Sequence, residues 1–312
     1  MNRVHIVAFN ASDYGELIRA EFPELEVTVE DVTGKATASF ADANVLIGFG
    51  PALTDELVAE ATGLKWIQAL GTGVDGFDDR VDVGKVILSS MRGIHGPQMA
   101  EMAFLMMLSF VRRLPFMLEN QTRRRWQRFT AAKLEGKTAV IIGIGLIADA
   151  LAARCRAFGL RVLGVSGTPR EVANLDKVYA RADMEAAVAE GDFVILLAPL
   201  TDESRSMINR PVFRAMKPSA YFINLARGGV VDEQDFVEAM RGGQIAGAAL
   251  DVFVDEPLPE TSPLWDLPNV IITPHMGGRT EGYVDQAMPI IRHNFRCYLD
   301  GAPENMKNRV TS

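Results

Sequence analysis

The run Thr138-Ala139-Val140-Ile141-Ile142-Gly143-Ile144-Gly145-Leu146-Ile147-Ala148 decides the reading of this chain. Its first five residues form a short apolar run rich in β-branched side chains, and helix formers take over from Leu146 through Arg156. Between strand and helix lies G-x-G-x-x-A, the setting in which glycine-rich loops bind dinucleotides. Each position has a physical task. Gly143 makes the tight turn, Gly145 lets the backbone approach a pyrophosphate, and Ala148 is small enough for the helix to pack on the strand. The helix start, with the N–H groups of Leu146 and Ile147, would face the phosphates. A purely structural strand-to-helix turn is the plainer alternative.

Further along, the same rhythm continues. Arg161–Val165, Phe193–Ala198, Tyr221–Leu225, Gly247–Val252 and Val270–Thr273 join Thr138–Ile142 as six short strands of one doubly wound parallel sheet. Upstream, Val4–Phe9, Val45–Gly48, Trp66–Leu70 and Val86–Ser89 alternate with polar helical stretches such as Thr54–Thr62. At 312 residues the chain is about twice a typical domain, so two α/β domains are expected. A composition of 48% hydrophobic and 23% charged residues excludes disorder, collagen-like repeats and coiled coil. Lys+Arg 32 against Asp+Glu 40 gives −8, an acidic balance that argues against nucleic acid as a ligand.

The segment between the halves changes texture. Gln98–Met117, opened by Pro97, reads as one long buried helix whose Met99, Met102, Met106 and Met107 fill the core. Arg123-Arg124-Arg125-Trp126-Gln127-Arg128 reads as a subunit contact or solvated loop. Gly282–Leu299 reads as a terminal helix, and the residues after Gly301 as a loose tail. Cys155 and Cys297 lack C-x-x-C spacing, which points to reduced thiols in a cytoplasm and to no metal site. Met102–Val111 falls short of the roughly 20 residues that span a bilayer, so no membrane partner is expected.

Cofactor choice is read at the end of the strand after the glycine loop, where an Asp or Glu binds the ribose hydroxyls of NAD. Here the chain runs Gly164-Val165-Ser166-Gly167-Thr168-Pro169-Arg170, with no carboxylate before Glu171. Ser166 and Thr168 can donate to a 2′-phosphate and Arg170 can pair with it. The expectation is NADP(H) preferred over NAD(H), with NAD(H) still possible.

Three later segments place chemically useful residues after strands: Asn224-Leu225-Ala226-Arg227-Gly228-Gly229, then Leu250-Asp251 through Val254-Asp255-Glu256-Pro257, then Thr273-Pro274-His275-Met276-Gly277-Gly278. Taken singly, each has a bland structural reading. Together behind a dinucleotide loop, and with Pro199-Leu200-Thr201 and Pro263-Leu264-Trp265, the chain from about Gly93 to Gly278 resembles the D-isomer-specific 2-hydroxyacid dehydrogenase family, which includes glyoxylate/hydroxypyruvate reductases. The resemblance implies two Rossmann-like doubly wound parallel-sheet domains, with the dinucleotide-binding domain (98–278) inserted into a flavodoxin-like substrate domain (1–97 and 279–312). It implies an active site in the cleft and a homodimer formed through the long helix.

Carried over residue by residue, the resemblance makes Arg227 the group that binds the acid's carboxylate and carbonyl oxygen. It makes His275 the general acid/base and Glu256 its partner. The chemistry is sound on its own terms, because hydride arriving at a carbonyl carbon builds negative charge that a guanidinium stabilises and a protonated imidazole neutralises. Leu70-Gly71-Thr72-Gly73-Val74-Asp75 resembles the family's carboxylate-binding turn, with Gly71, Thr72, Gly73 and Val74 as the binding residues. Asp251 would contact the carboxamide of the nicotinamide, with a strand-end cap as its structural alternative. Ala198, Pro199 and Ala226 would make main-chain contacts to the cofactor. Ser166 stands where the family usually has an Asp.

His5, His95 and His293 match no catalytic motif and read as structural. The substrate pocket is expected near Phe49, Leu70, Met91 and Ile94, whose apolar character favours an unphosphorylated acid. No effector module is expected after Ser312. The competing functional reading is a dinucleotide-sensing, corepressor-like binding protein with little turnover. Formate or phosphite oxidation fits less well, because Glu256 serves a proton shuttle that such a site does not need.

Overall fold

The computed structural model describes residues 2–310 except 33, 75, 76, 78–81, 83, 84 and 169. Backbone contacts divide the chain into two units, Met1–Ile94 with Thr280–Ser312, and His95–Arg279. Each unit is α/β, built on a wholly parallel sheet.

In the first unit, β1 (Arg3–Ala8), β2 (Glu26–Asp31), β3 (Val45–Gly48), β4 (Trp66–Ala69) and β5 (Ile87–Ser89) lie in the order β2-β1-β3-β4-β5. The period-2 alternation of β1 sends Val4, Ile6 and Ala8 to a core shared with α1 (Ala11–Glu21) and the C-terminal helix Tyr283–Leu299. Val7 faces the opposite core with Phe40, Leu53 and Leu88. β2 escaped sequence reading because Glu26, Glu30 and Asp31 interrupt its apolar pattern, which an edge strand tolerates. α2 (Asp55–Glu60) is capped by Thr54, whose hydroxyl accepts from the N–H of Leu57. Leu70 and Met91, expected to wall a pocket, are instead fully buried in the first core; Phe49 and Ile94 are half-buried beside it.

The expected loose tail is also corrected. Asn294, fully buried on the C-terminal helix, exchanges hydrogen bonds with the backbone of Lys307 (2.7 and 3.1 Å). Arg309 bridges Ser89, and the N–H of Val310 donates to Leu88 O at 2.8 Å. A buried amide must find partners, and here the tail supplies them.

The second unit begins with α3 (Gly96–Val111) and α4 (Leu114–Thr122). These replace the single helix expected over Gln98–Met117. Pro115 cannot donate to the carbonyl of Val111 and its ring crowds that position, so the helix stops and Arg113 turns through φ 53°. The methionines at 99, 102, 106 and 107 pack into the core as expected. The sheet follows with β6 (Thr138–Ile142), α5 (Leu146–Ala157), β7 (Arg161–Ser166), β8 (Lys177–Ala180), α6 (Met184–Val188), β9 (Phe193–Leu196), α7 (Arg210–Ala215), β10 (Tyr221–Asn224), α8 (Glu233–Arg241), β11 (Gly247–Leu250) and β12 (Val270–Ile272). Its order is β12-β11-β10-β9-β6-β7-β8, seven strands where six were read. The addition is β8, a half-buried edge strand.

β6 is covered on both faces, Val140 and Ile142 toward Phe213 and Phe222, Ala139 and Ile141 toward α3 and α5. From β6 the chain goes one way to β7, then crosses to the other side for β9. Gly143 therefore ends β6 at the point where the strand order reverses, the place where doubly wound sheets bind ligands. Among the described residues, no helix is long and apolar enough to cross a membrane.

Candidate active site

Two glycines of the nucleotide loop stand in opposite surroundings. Gly143 has φ +97°, and a methyl group there would lie 2.5 Å from Ala198 N and 2.6 Å from Ala198 Cα. The turn and the start of the Ala198–Pro199 loop thus press together with no room for a side chain. Gly145, in extended backbone, has nothing within 4 Å of a corresponding methyl. That is a cradle a Cβ would fill, at the start of a 12-residue helix with no side-chain cap. Leu146 and Ile147 open the helix, and Ala148 is buried against the sheet. The residues present therefore fit a dinucleotide.

At the end of β7, Ser166 is half-buried and Thr168 and Arg170 are exposed, while Pro169 lies outside the described residues. The Ser166 hydroxyl closes its own turn, accepting from the N–H of Thr168 at 3.3 Å and donating to Thr168 O at 3.1 Å. Across the sheet, Ser204 organises the Pro199–Thr201 loop by donating to Pro199 O (2.6 Å) and accepting from the N–H of Thr201 (2.7 Å).

Arg227, Glu256 and His275 come from the loops after β10, β11 and β12 of this one sheet. Buried Asn224 shapes the first loop, accepting from Ala226 N at 3.0 Å and donating to Arg227 O at 3.2 Å. Arg227 Nη1 donates to Ala226 O at 2.7 Å. Behind it, Gly228 lies so close to the next loop that a methyl group would sit 2.0 Å from Phe253 C and 2.3 Å from Val254 N. Gly228 thereby sets the spacing between the Arg227 and Glu256 segments, a role the sequence motif quoted but did not explain.

Glu256 Oε1 accepts from the N–H of Phe253 at 2.9 Å, and Oε2 lies 2.6 Å from His275 Nδ1. Burial pushes the Glu256 carboxyl up, but the His275 hydrogen bond and charge, the Phe253 N–H and the Arg227 guanidinium outweigh it and hold the group below its usual range. Glu256 is thus an anion at neutral pH, and its contact with Nδ1 orients the imidazole.

His275 has φ 49°, a left-handed conformation uncommon outside glycine. Asp251, 1% exposed, holds it there: Oδ1 accepts from Thr273 Oγ1 (2.5 Å) and Met276 N (3.0 Å), and Oδ2 from Gly277 N (2.8 Å). Gly277 must lack a side chain, since a methyl would approach Asp251 Oδ2 to 2.9 Å. His95, buried at the start of α3, feels the Arg227 charge; burial first, then that charge, press its imidazole down to about 4. It is therefore neutral. Sequence reading set it aside because no motif surrounds it.

The turn of Gly71, Thr72, Gly73 and Val74 follows β4 in the first unit, with Asp75 outside the described residues. Among the described residues there is no cluster of His, Cys, Asp or Glu that could hold a metal ion.

The family model described as D-isomer specific 2-hydroxyacid dehydrogenase, NAD binding domain, matches residues 104–277, more than half of the chain. The chain belongs to this family. D-isomer specific 2-hydroxyacid dehydrogenases are NAD(P)-dependent oxidoreductases. Among relatives, a D-3-phosphoglycerate dehydrogenase of Methanocaldococcus jannaschii is 34% identical over 93% of this chain, which spans 56% of that longer protein. A glyoxylate/hydroxypyruvate reductase B of Serratia proteamaculans is 35% identical over 75% of this chain and 74% of its own. Among solved structures, a family protein from Aeromonas salmonicida superposes with TM-score 0.88 at 33% identity over 99% of both chains. A D-isomer specific 2-hydroxyacid dehydrogenase from Xanthobacter autotrophicus, in complex with NADPH and MES, superposes with TM-score 0.81 at 28% identity over 98% of both.

Proposed function

We propose that the chain is an NADP(H)-preferring reductase that converts a small 2-oxo acid to the D-2-hydroxy acid. The observation that carries this reading is the His275 Nδ1–Glu256 Oε2 contact of 2.6 Å, within reach of the Arg227 charge. When bound, the nicotinamide cofactor supplies the hydride. Arg227 binds the carboxylate and the carbonyl oxygen and stabilises the negative charge that grows there. His275, protonated, delivers the proton from Nε2 to that oxygen; neutral, it takes the hydroxyl proton in oxidation. Glu256 stabilises the charged imidazole until that proton is delivered.

Gly143, Gly145, Leu146 and Ile147 would hold the pyrophosphate. Ser166, Thr168 and Arg170 would hold the adenosine ribose end, and Ala198, Pro199 and Ala226 would line the remainder. The Gly71–Val74 turn would donate N–H groups to the acid. Asp251 is assigned first to bracing the His275 loop, because that loop already occupies both of its oxygens. The relation to a glyoxylate/hydroxypyruvate reductase and to a structure solved with NADPH supports both the substrate class and the cofactor. A homodimer through α3 and α4 is supported by the exposed Leu105, Leu108, Met117 and Leu118.

The test is initial-rate oxidation of NADPH and of NADH with glyoxylate, hydroxypyruvate, pyruvate and phenylpyruvate. Turnover mainly with NADPH is the expected result. Tight nucleotide binding with no turnover on any acid would instead favour a dinucleotide sensor.

A further inference from the structure

The strand that sequence reading missed delivers a residue to the cofactor site. Parallel pairing of β7 with β8 sets Ser166 opposite Ala180, so Arg181 leaves the sheet level with the end of β7. Its guanidinium folds back over the turn there: a methyl group on Gly167 would lie 3.3 Å from Arg181 Nη2 and 3.9 Å from Cζ. In a doubly wound sheet this turn meets the adenosine ribose, where a carboxylate selects a free 2′-hydroxyl and an arginine accommodates a 2′-phosphate. The carboxylate is missing, and the Ser166 hydroxyl is engaged in closing the turn.

Arg181 is exposed, and among the described residues no carboxylate lies within 4.0 Å of its guanidinium. The Glu203 carboxyl does feel its charge, although that group is held low chiefly by the hydroxyl of Thr201, which donates to it at 2.7 Å.

We propose that Arg181 binds the 2′-phosphate of NADP(H) and sets the preference for it, with Arg170 as an accessory cation at most. The proposal rests on the dinucleotide reading of the Gly143–Ala148 loop. A planar guanidinium lying over the turn presents paired N–H donors to a phosphate, a geometry a flexible ammonium reproduces poorly. Of the two arginines, Arg181 is held at the turn by the sheet register, whereas Arg170 follows it in an irregular segment.

Calorimetric titration with NADPH, NADH and 2′,5′-ADP, a probe that carries the 2′-phosphate and no nicotinamide, separates the possibilities. Arg181→Ala is expected to weaken 2′,5′-ADP and NADPH about tenfold and to leave NADH within about twofold. Arg181→Lys should recover part of the loss, and Arg170→Ala should cost less than Arg181→Ala. Unchanged 2′,5′-ADP affinity in Arg181→Ala, or an equal loss for NADH, overturns the proposal. The wild-type comparison tests the cofactor reading separately. Equal affinity for NADPH and NADH there would sink the preference for NADP(H), while a selective loss of 2′,5′-ADP in Arg181→Ala would still establish the phosphate contact.

Discussion

Asp251 grips the chain on both sides of His275, accepting from the hydroxyl of Thr273 and from the N–H groups of Met276 and Gly277. His275 thus sits at φ 49° in a short loop fixed from beneath by a buried carboxyl group. Backbone strain of this kind persists only where the surroundings over-determine it, and it marks functional sites.

Asp251→Asn tests that relationship. The substituted amide cannot accept at every position the carboxylate serves, so at least one backbone N–H loses its partner. The expected cost is about 2 kcal/mol of stability together with a fall in kcat, read by urea unfolding and steady-state kinetics. Wild-type kcat in a destabilised variant would show that the brace serves folding alone.

His275→Ala should lower kcat by about 10²- to 10⁴-fold, the usual worth of a positioned acid/base. Glu256→Gln should lower it less, because the amide oxygen can still accept from Nδ1, although its NH2 then faces the N–H of Phe253 and it no longer stabilises the positive ring. Near-wild-type kcat in His275→Ala would remove His275 from the role.

Gly143→Ala and Gly145→Ala separate fold from ligand at the same loop. The first meets Ala198 backbone at 2.5 Å from a positive-φ position and should lower the melting temperature. The second enters open space in extended backbone and should leave melting unchanged while raising the dissociation constant for the dinucleotide. Fluorescence titration beside thermal melting distinguishes the two.

Gly228→Ala would place a carbon 2.0 Å from the carbonyl carbon of Phe253 and push the Arg227 and Glu256 segments apart. Overpacking of this kind costs about 1–3 kcal/mol, and activity should fall further than stability. Comparing kcat/KM with the unfolding midpoint gives the answer; near-normal kinetics would mean the two segments need not touch.

His95 predicts an acid limb in stability. Its folded value of about 4 lies below the ordinary 6.5, so between these values the unfolded chain binds the proton and the folded chain does not. The contribution is complete above pH 6.5 and is lost as pH falls toward 4, amounting to about 3 kcal/mol for one such group. His95→Gln should flatten the stability curve across that window. An unaltered slope would place the acid sensitivity elsewhere.

Local pattern was enough for much of this molecule. The G-x-G-x-x-A loop after an apolar strand, and the order of the Arg227, Glu256 and His275 segments, were legible because turns, helix starts and strand ends leave short-range signatures. The sequence alone therefore determined the α/β class and the residues gathered around one sheet. The edge strands β2 and β8 were not legible, since half-exposed strands lack a continuous apolar run and are recognised only by what they pair with. The helix break at Arg113 had its cause in view at Pro115, yet the strong apolar pattern masked it.

Only the tertiary structure could decide what depends on register and on approach between distant segments. It placed Arg181 over the β7 turn through the pairing of Ser166 with Ala180. It put Gly228 against Phe253 and closed Asp251 around the His275 loop. Such contacts join residues far apart in the chain, and no local propensity records them, because the free energy that selects them arises only when the sheet is assembled.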